Sequence, residues 1–181
     1  MQIIYNSAHL RTVLNEERRK DRLVAFVPTM GNLHEGHLEL VKRAKSLADI
    51  VVVSIFVNPL QFSTDEDLDK YPRTLSTDKS LLFSEGINTL FVQSENDIFP
   101  DGRENQTTVV VPEISSILCG KDRPGHFEGV ATIVCKLLNL ICPDYALFGE
   151  KDYQQLSIIR KLVHELEFDT NIVAVGTVRD E

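Results

Sequence analysis

The stretch Leu23–Val57, LVAFVPTMGNLHEGHLELVKRAKSLADIVVVSIFV, changes period twice, and those changes set the fold. Leu23–Val27 is a short apolar run of the kind a buried strand requires. His37–Ala48 then puts Leu38, Val41, Ala44, Leu47 and Ala48 on one side of a helix. Ile50–Val57 is continuous and β-branched, as a strand covered on both faces should be. Strand, helix and strand in that order mean parallel pairing with a right-handed crossover.

Outward from this unit the alternation continues. A helix is expected over Thr77–Glu85, closed by Gly86, then a strand over Asn88–Val92. Thr107–Val111 reads as a strand stopped at Pro112, and Val130–Ile141 as a helix ended before Pro143. Tyr145–Phe148 is a short strand, Tyr153–Leu166 a helix and Ile172–Val175 a last strand. The pattern predicts a doubly wound parallel α/β sheet, whose ligands sit beyond the carboxyl ends of the strands.

Composition narrows the function classes. The chain has 181 residues, 43% of them hydrophobic and 25% charged, which is ordinary for a globular domain and unlike a disordered tract. Nineteen basic residues against 27 acidic ones leave a net charge of -8. A general attraction to nucleic acid or anionic membrane is therefore not expected, and any anionic ligand must be held by a local site. The N-terminus has no apolar stretch after a basic start, and the uncharged run between Asp49 and Asp65 is too short and polar to span a bilayer. Cys119, Cys135 and Cys142 match no zinc spacing, and their odd number argues against a disulfide framework. Buried or idle thiols in a reducing, cytoplasmic compartment are the expectation.

Three loops carry the chemistry. The first strand runs into Met30-Gly31-Asn32-Leu33-His34-Glu35-Gly36-His37. Gly31 and Gly36 permit tight turns, and His34 and His37, three apart at a helix start, share one face beside unpaired helical N–H groups. A phosphate there would meet backbone and imidazole donors. A Walker A loop is rejected, because His37 and Leu38 stand where Lys and Ser/Thr are needed. Zinc has no HExxH spacing and no third ligand in view, so no metal ligands are assigned. A pair of surface or capping histidines is the plain alternative.

In Gly149-Glu150-Lys151-Asp152, Lys151 offers a mobile charge for phosphate and Asp152 an acceptor for ribose hydroxyls; a solvated turn capped by Asp152 is the rival. Asn58 and Gln61, just past a buried strand, can orient a small polar substrate, or form an ordinary Asn-Pro turn. The glycine-rich loop Cys119–Gly129 could close over an anion with Arg123 and His126 inward, or be a mobile surface loop. The acidic run Asp65–Asp69 looks like a metal cage but fits a solvated loop better.

Taken together, VPTMGNLHEGHLELVKRA, SIFVNPLQF, DLDKYPRTLSTD, RPGHFEGVATIVCKLLN and FGEKDYQQLSIIRKLV resemble, in order, the pantothenate synthetases, or pantoate–β-alanine ligases. The resemblance runs from about Val27 to Val163. Asn32 departs from the family's usual small Ala, and Gly176 stands where Pro is expected. It implies a Rossmann-like sheet of the HxGH nucleotidyltransferase superfamily. It also implies ligation through a pantoyl adenylate, with pyrophosphate and then AMP released.

In that reading Met30 to His37, Gly149 to Asp152 and Val178 would bind ATP, with His34, His37 and Lys151 catalytic. Gln61, Gln155 and Asn58 would hold pantoate, and Gln61 also β-alanine. Mg²⁺ would accompany ATP on phosphates and water. The family is usually homodimeric. Its members continue past this point, so residues 1–175 are expected to be the ATP- and pantoate-binding domain. Residues 176–181 would begin the link to a further domain, and this chain alone is expected to turn over weakly or not at all. The rivals are a nucleotidyl-transferring relative and a binding-only domain.

Overall fold

In the computed structural model the described residues are 1–62 and 68–179. Asp65, Glu66 and Asp67 of the acidic run lie outside them. Six strands form one parallel sheet in the order β1-β4-β3-β2-β5-β6. They are β1 (Gln2–Ile4), β2 (Val24–Thr29), β3 (Ile50–Ile55), β4 (Thr89–Val92), β5 (Tyr145–Gly149) and β6 (Asn171–Val175). The doubly wound expectation holds.

Right-handed crossovers dictate which helix covers which face. From β2 to β3 to β4 the chain moves toward one edge, and α2 (Glu35–Lys45) and α3 (Leu75–Ser84) cover one face. From β1 to β2, β4 to β5 and β5 to β6 it moves the other way. Accordingly α1 (Ser7–Arg18), α6 (His126–Ile141) and α7 (Tyr153–Glu165) cover the opposite face. Alternate strand residues feed the two cores: Val24, Phe26, Ile50 and Val52 the α6 side, Ala25, Val27, Val51 and Val53 the α2 side. Burial on both faces is why β2 and β3 read as continuous apolar runs rather than alternating ones.

Four expectations need correcting. Thr107–Val111 is no strand: the sheet ends at β1 and β6, and this segment crosses α6 instead. The Val109 N–H donates to Thr132 Oγ1 at 2.9 Å, Lys136 Nζ donates to Gln106 Oε1 at 2.7 Å, and Val110 stays 53% exposed. Helix α2 begins two residues early because the His34 imidazole caps it, and it ends at Lys45, with Ser46 as its C-cap, rather than at Ala48. Helix α6 begins at His126 rather than at Val130, so the end of the Cys119–Gly129 stretch is helical; of the thiols expected to be buried or idle, Cys119 and Cys142 are exposed.

The sequence reading also missed β1 and α1, although Asn6 caps α1 by accepting from Ala8 and His9 N–H. Only Leu10 and Leu14 of α1 are buried, a stripe too narrow to stand out. Short turns of helix, α4 (Glu95–Ile98) and α5 (Cys119–Asp122), complete the chain. No helix among the described residues is long and apolar enough to cross a membrane.

Candidate functional site

The strand order reverses at β2, which lies between β3 and β5. A crevice must open where the connections after these strands diverge, and that is where doubly wound sheets hold ligands. The loops with His34 and His37, with Asn58 and Gln61, and with Lys151 and Asp152 leave the carboxyl ends of β2, β3 and β5, whereas Cys119–Gly129 leads into α6.

After β2 the backbone turns through two left-handed residues, Gly31 (φ 80°) and Asn32 (φ 52°). Asparagine tolerates this region better than alanine, so the departure at position 32 suits the local geometry. The turn points successive N–H groups inward, and they meet Asp78, whose carboxylate is 1% exposed. It accepts from Asn32 N–H at 3.1 Å, Leu33 N–H at 2.9 Å and the Thr74 hydroxyl at 3.1 Å. At the start of α2, His34 Nδ1 accepts from Gly36 N–H at 3.1 Å, and His37 Nδ1 accepts from His34 N–H at 3.4 Å.

The expected backbone cradle for phosphate is therefore largely filled by the protein's own groups. What the loop offers instead is the Nε2–H of each imidazole, because both Nδ1 atoms act as acceptors. The two rings lie 4.2 Å apart.

His37 is neutral at ordinary pH. Burial, reinforced by His34, lowers its pKa from 6.5 to about 4; Asp78 and Asp152 oppose the shift and Lys151 adds to it. The unfolded chain thus takes up the His37 proton first as pH falls. Stability from this residue is complete above about pH 6.5 and is lost progressively toward pH 4. Thermal melts at pH 7 and pH 4 should show a drop in Tm that is smaller by roughly 2–6 °C in His37→Asn, which lacks the titrating group.

Beyond β3, the Asn58 side chain is 1% exposed and fully engaged. Its Oδ1 accepts from Leu60 N–H, and its Nδ2 donates to Gln61 Oε1 and to the Gly129 carbonyl, each at 3.2 Å. Asn58 therefore orients Gln61, whose Nε2 amide remains for a ligand. His126, also buried, donates from Nδ1 to the Gln61 carbonyl at 2.7 Å, so it braces this turn rather than closing over a ligand. Gly129 lets α6 approach the same turn, as a Cβ there would lie 2.3 Å from the Leu60 carbonyl oxygen.

Beyond β5, Gly149 is ordinary extended backbone with open space around it, and Lys151 is exposed. Asp152 precedes α7 without a side-chain capping bond, which leaves its carboxylate available.

Between these loops lies a pocket of about 190 Å³. Its floor is apolar, from Phe56, Phe148 and the α6 residues Val130, Ile133, Val134 and Leu137. Its rim is polar, from His37, Asn58, Gln61, Asp152, Gln155 and Tyr71. Burial and the Asp78 carboxylate raise the Tyr71 pKa, so its phenol stays neutral. That volume suits a small acid rather than a nucleotide. A separate, more open groove is lined by Glu150, Lys151, Thr177, Val178 and Arg179, the first two next in sequence to Asp152 of the pocket rim.

The structure thus brings together His37, Met30, Asn58, Gln61, Asp152 and Gln155 around one pocket, with Lys151 and Val178 along the adjoining groove. His34 stands beside His37, while Glu35 is on the exposed rim of α2. Sequence reasoning missed Asp78, Tyr71 and the packing role of Gly129, and it placed His126 over an anion rather than against the Gln61 carbonyl. The motif DLDKYPRTLSTD held the first two, but nothing in spacing alone places α3 against the β2 loop. No group of three His, Cys, Asp or Glu residues able to hold a metal ion occurs among the described residues.

Known proteins share this arrangement. A family model described as pantoate-beta-alanine ligase matches residues 2–181. The chain is 54% identical to a pantothenate synthetase of Vibrio atlanticus, over 99% of this chain and 61% of that protein. It superposes on a pantothenate synthetase of Thermus thermophilus with a TM-score of 0.92 at 45% identity, over 99% of this chain and 63% of that one. A Francisella tularensis pantoate-beta-alanine ligase, solved with beta-gamma ATP and beta-alanine, gives 0.94 at 44% identity, over 99% and 68%. The chain spans about six tenths of the length of the curated relative. With fold, loop positions and a family match over residues 2–181 in agreement, this chain belongs to the pantoate–β-alanine ligase family.

Proposed function

We propose that this chain carries the ATP- and pantoate-binding site of a ligase that joins pantoate to β-alanine. The observation that carries the reading is convergence at the switch point. A neutral His37 and the amides of Gln61 and Gln155 rim one small pocket with an apolar floor, and Lys151 stands on the adjoining open groove. The apolar floor suits the dimethyl-substituted carbon of pantoate, and the amide rim suits its carboxylate and hydroxyls.

In the first step a pantoate carboxylate oxygen attacks the α-phosphorus of ATP, the bond to the bridging oxygen breaks, and pyrophosphate leaves. Met30 to His37 line the triphosphate; His34 and His37 donate from Nε2 to phosphate oxygens, and Lys151 balances charge on the departing pyrophosphate. Gly149, Glu150, Asp152 and Val178 face the nucleoside. Gln61 and Gln155 align the pantoate carboxylate, and Asn58 fixes Gln61. In the second step the β-alanine amine, held beside Gln61, attacks the acyl carbon and AMP leaves. No covalent intermediate with the protein is needed, since alignment and charge stabilisation suffice. Mg²⁺ would accompany ATP, carried by phosphates and water rather than by side chains of this chain, and would supply neutralisation of phosphate charge.

Residues 1–175 are the binding domain in this reading, and 176–181 begin the path to the segment by which the relatives are longer. The relatives' extra length fits a cover for the open groove at Lys151 and Val178. Without it an acyl adenylate meets water, so the 181-residue chain should bind ligands weakly and release little pantothenate. The longer protein is proposed as a cytoplasmic homodimer. Pyrophosphate exchange into ATP tests the assignment: a pantoate-dependent rate at least about tenfold above background is expected. Exchange that proceeds equally without pantoate would return the site to a nucleotidyl-transfer reading.

A further inference from the structure

Among the described residues Asp78 is the most deeply buried acid, at 1% exposure, and its hydrogen-bond donors there are two backbone N–H groups and a hydroxyl rather than a lysine or arginine. Burying a carboxylate is costly unless its oxygens are satisfied by donors. Here two donors are the N–H groups of Asn32 and Leu33, turned inward by the left-handed pair Gly31 and Asn32. Concavities of successive N–H groups ordinarily hold free anions. Thr74, at the N-cap position of α3, uses its hydroxyl on Asp78 rather than on the helix it precedes. Gly31 has no room for a side chain: a Cβ would lie 3.1 Å from Asp78 Oδ2 and 3.3 Å from Ile55 Cγ2. The acid, the turn and β3 are thus packed as one piece.

We propose that Asp78 is the positioning residue of the nucleotide loop: it occupies the loop's anion hole from α3 and thereby fixes the direction of the His34–His37 imidazole pair. The hole is then closed to phosphate, and bound phosphate is met by imidazole Nε2–H and by Lys151. Asp78 also ties this loop to Tyr71, on the far wall of the pocket, through the segment leading into α3. The consequence for nucleotide rests on the reading given under Proposed function; the consequence for the free loop does not.

Asp78→Asn tests it in the unliganded chain. Asparagine keeps the volume but places a donor against donors, so the loop should loosen and admit water to His37. Burial is the largest cause of the low His37 pKa, with His34, Asp78, Lys151 and Asp152 as its charged neighbours. Histidine titration by NMR should therefore show the His37 midpoint rising from about 4 toward 6.5. Amide exchange at Asn32 and Leu33 should speed up about tenfold or more, with sheet amides unchanged.

A midpoint that stays near 4 or falls, with those amides still protected, would overturn the proposal, because Asp78 would then act only through its charge or not at all. Thr74→Val, which removes one donor and leaves the carboxylate, should move both readouts in the same direction by less. It decides the matter if Asp78→Asn does not fold. Calorimetric titration with Mg-ATP should show about tenfold weaker binding in Asp78→Asn. If the loop loosens and Mg-ATP binding is unchanged, the positioning role stands and the nucleotide reading of the loop fails.

Discussion

Replacing His37 with alanine should lower pantoate-dependent pyrophosphate exchange by roughly 10²–10³-fold, the usual effect of deleting one preorganised donor to a developing anion. Circular dichroism should remain that of the wild type. Two roles of the residue must be separated to attribute the loss. His37 Nδ1 accepts the otherwise unpaired His34 N–H, which is a structural role, and its Nε2–H is the group offered to phosphate. Asparagine divides the two, because its Oδ1 can take the place of Nδ1 while nothing reaches the Nε2 position. His37→Asn should therefore be as slow as His37→Ala and more stable. An asparagine variant that keeps its exchange rate would make His37 a helix cap and remove it from the chemistry.

Because burial holds His37 near a pKa of about 4, the ATP of the proposed reaction would meet a neutral donor there. A bound triphosphate favours protonation, so ligand binding and proton uptake at this ring are linked.

The inner strands were legible because they are buried on both faces and so appear as apolar runs, whereas the edge strand β1, with only Ile4 buried, was not. Val51, Val52 and Val53 are such a run, with Val52 in one core and its two neighbours in the other. Thr107–Val111 has the same residue types, yet a strand must lie along a sheet edge, and this segment is held across α6 instead, where the Val109 N–H donates to Thr132 Oγ1. Propensity cannot reveal that. The loops that carry chemistry were legible as positions, since each follows a strand. Their internal wiring was not. His34 and His37 cap their own helix, Asp78 fills the turn that looked ready for phosphate, and Asn58 has no atom left for a substrate. These are long-range or side-chain choices, decided by packing between elements distant in sequence.

Gly129→Ala should act on the substrate side as strongly as His37→Ala acts on the phosphate side. In an ordinary helix interior this change stabilises by about 1 kcal/mol. At position 129 the added Cβ would lie 2.3 Å from the Leu60 carbonyl oxygen, 2.4 Å from its carbon and 2.6 Å from Gln61 N. All three are backbone atoms and cannot rotate away. Restoring an ordinary contact of 3.4 Å requires α6 and the Asn58–Gln61 turn to separate by about 1 Å, a displacement able to cost about 10²-fold in rate when it moves an aligning group. The Asn58 bond to the Gly129 carbonyl stretches with it, so Gln61 loses its brace as well as its place. Overpacking of this kind costs ~1–3 kcal/mol, which outweighs the helical gain. The expected result is a Tm lower by several degrees, an exchange rate lower by about 10²-fold with a raised KM for pantoate, and Mg-ATP binding near that of the wild type. Gly120→Ala supplies the comparison. In α5 its Cβ would strike the Ser115 carbonyl oxygen at 2.0 Å and lie 3.1 Å from the Phe127 ring, and its nearest atoms include none of the Gln61 turn, so it should lower stability with a smaller pantoate-specific defect. Equal pantoate defects in the two variants, or none in Gly129→Ala, would mean that the contact between α6 and the Gln61 turn does not set substrate alignment.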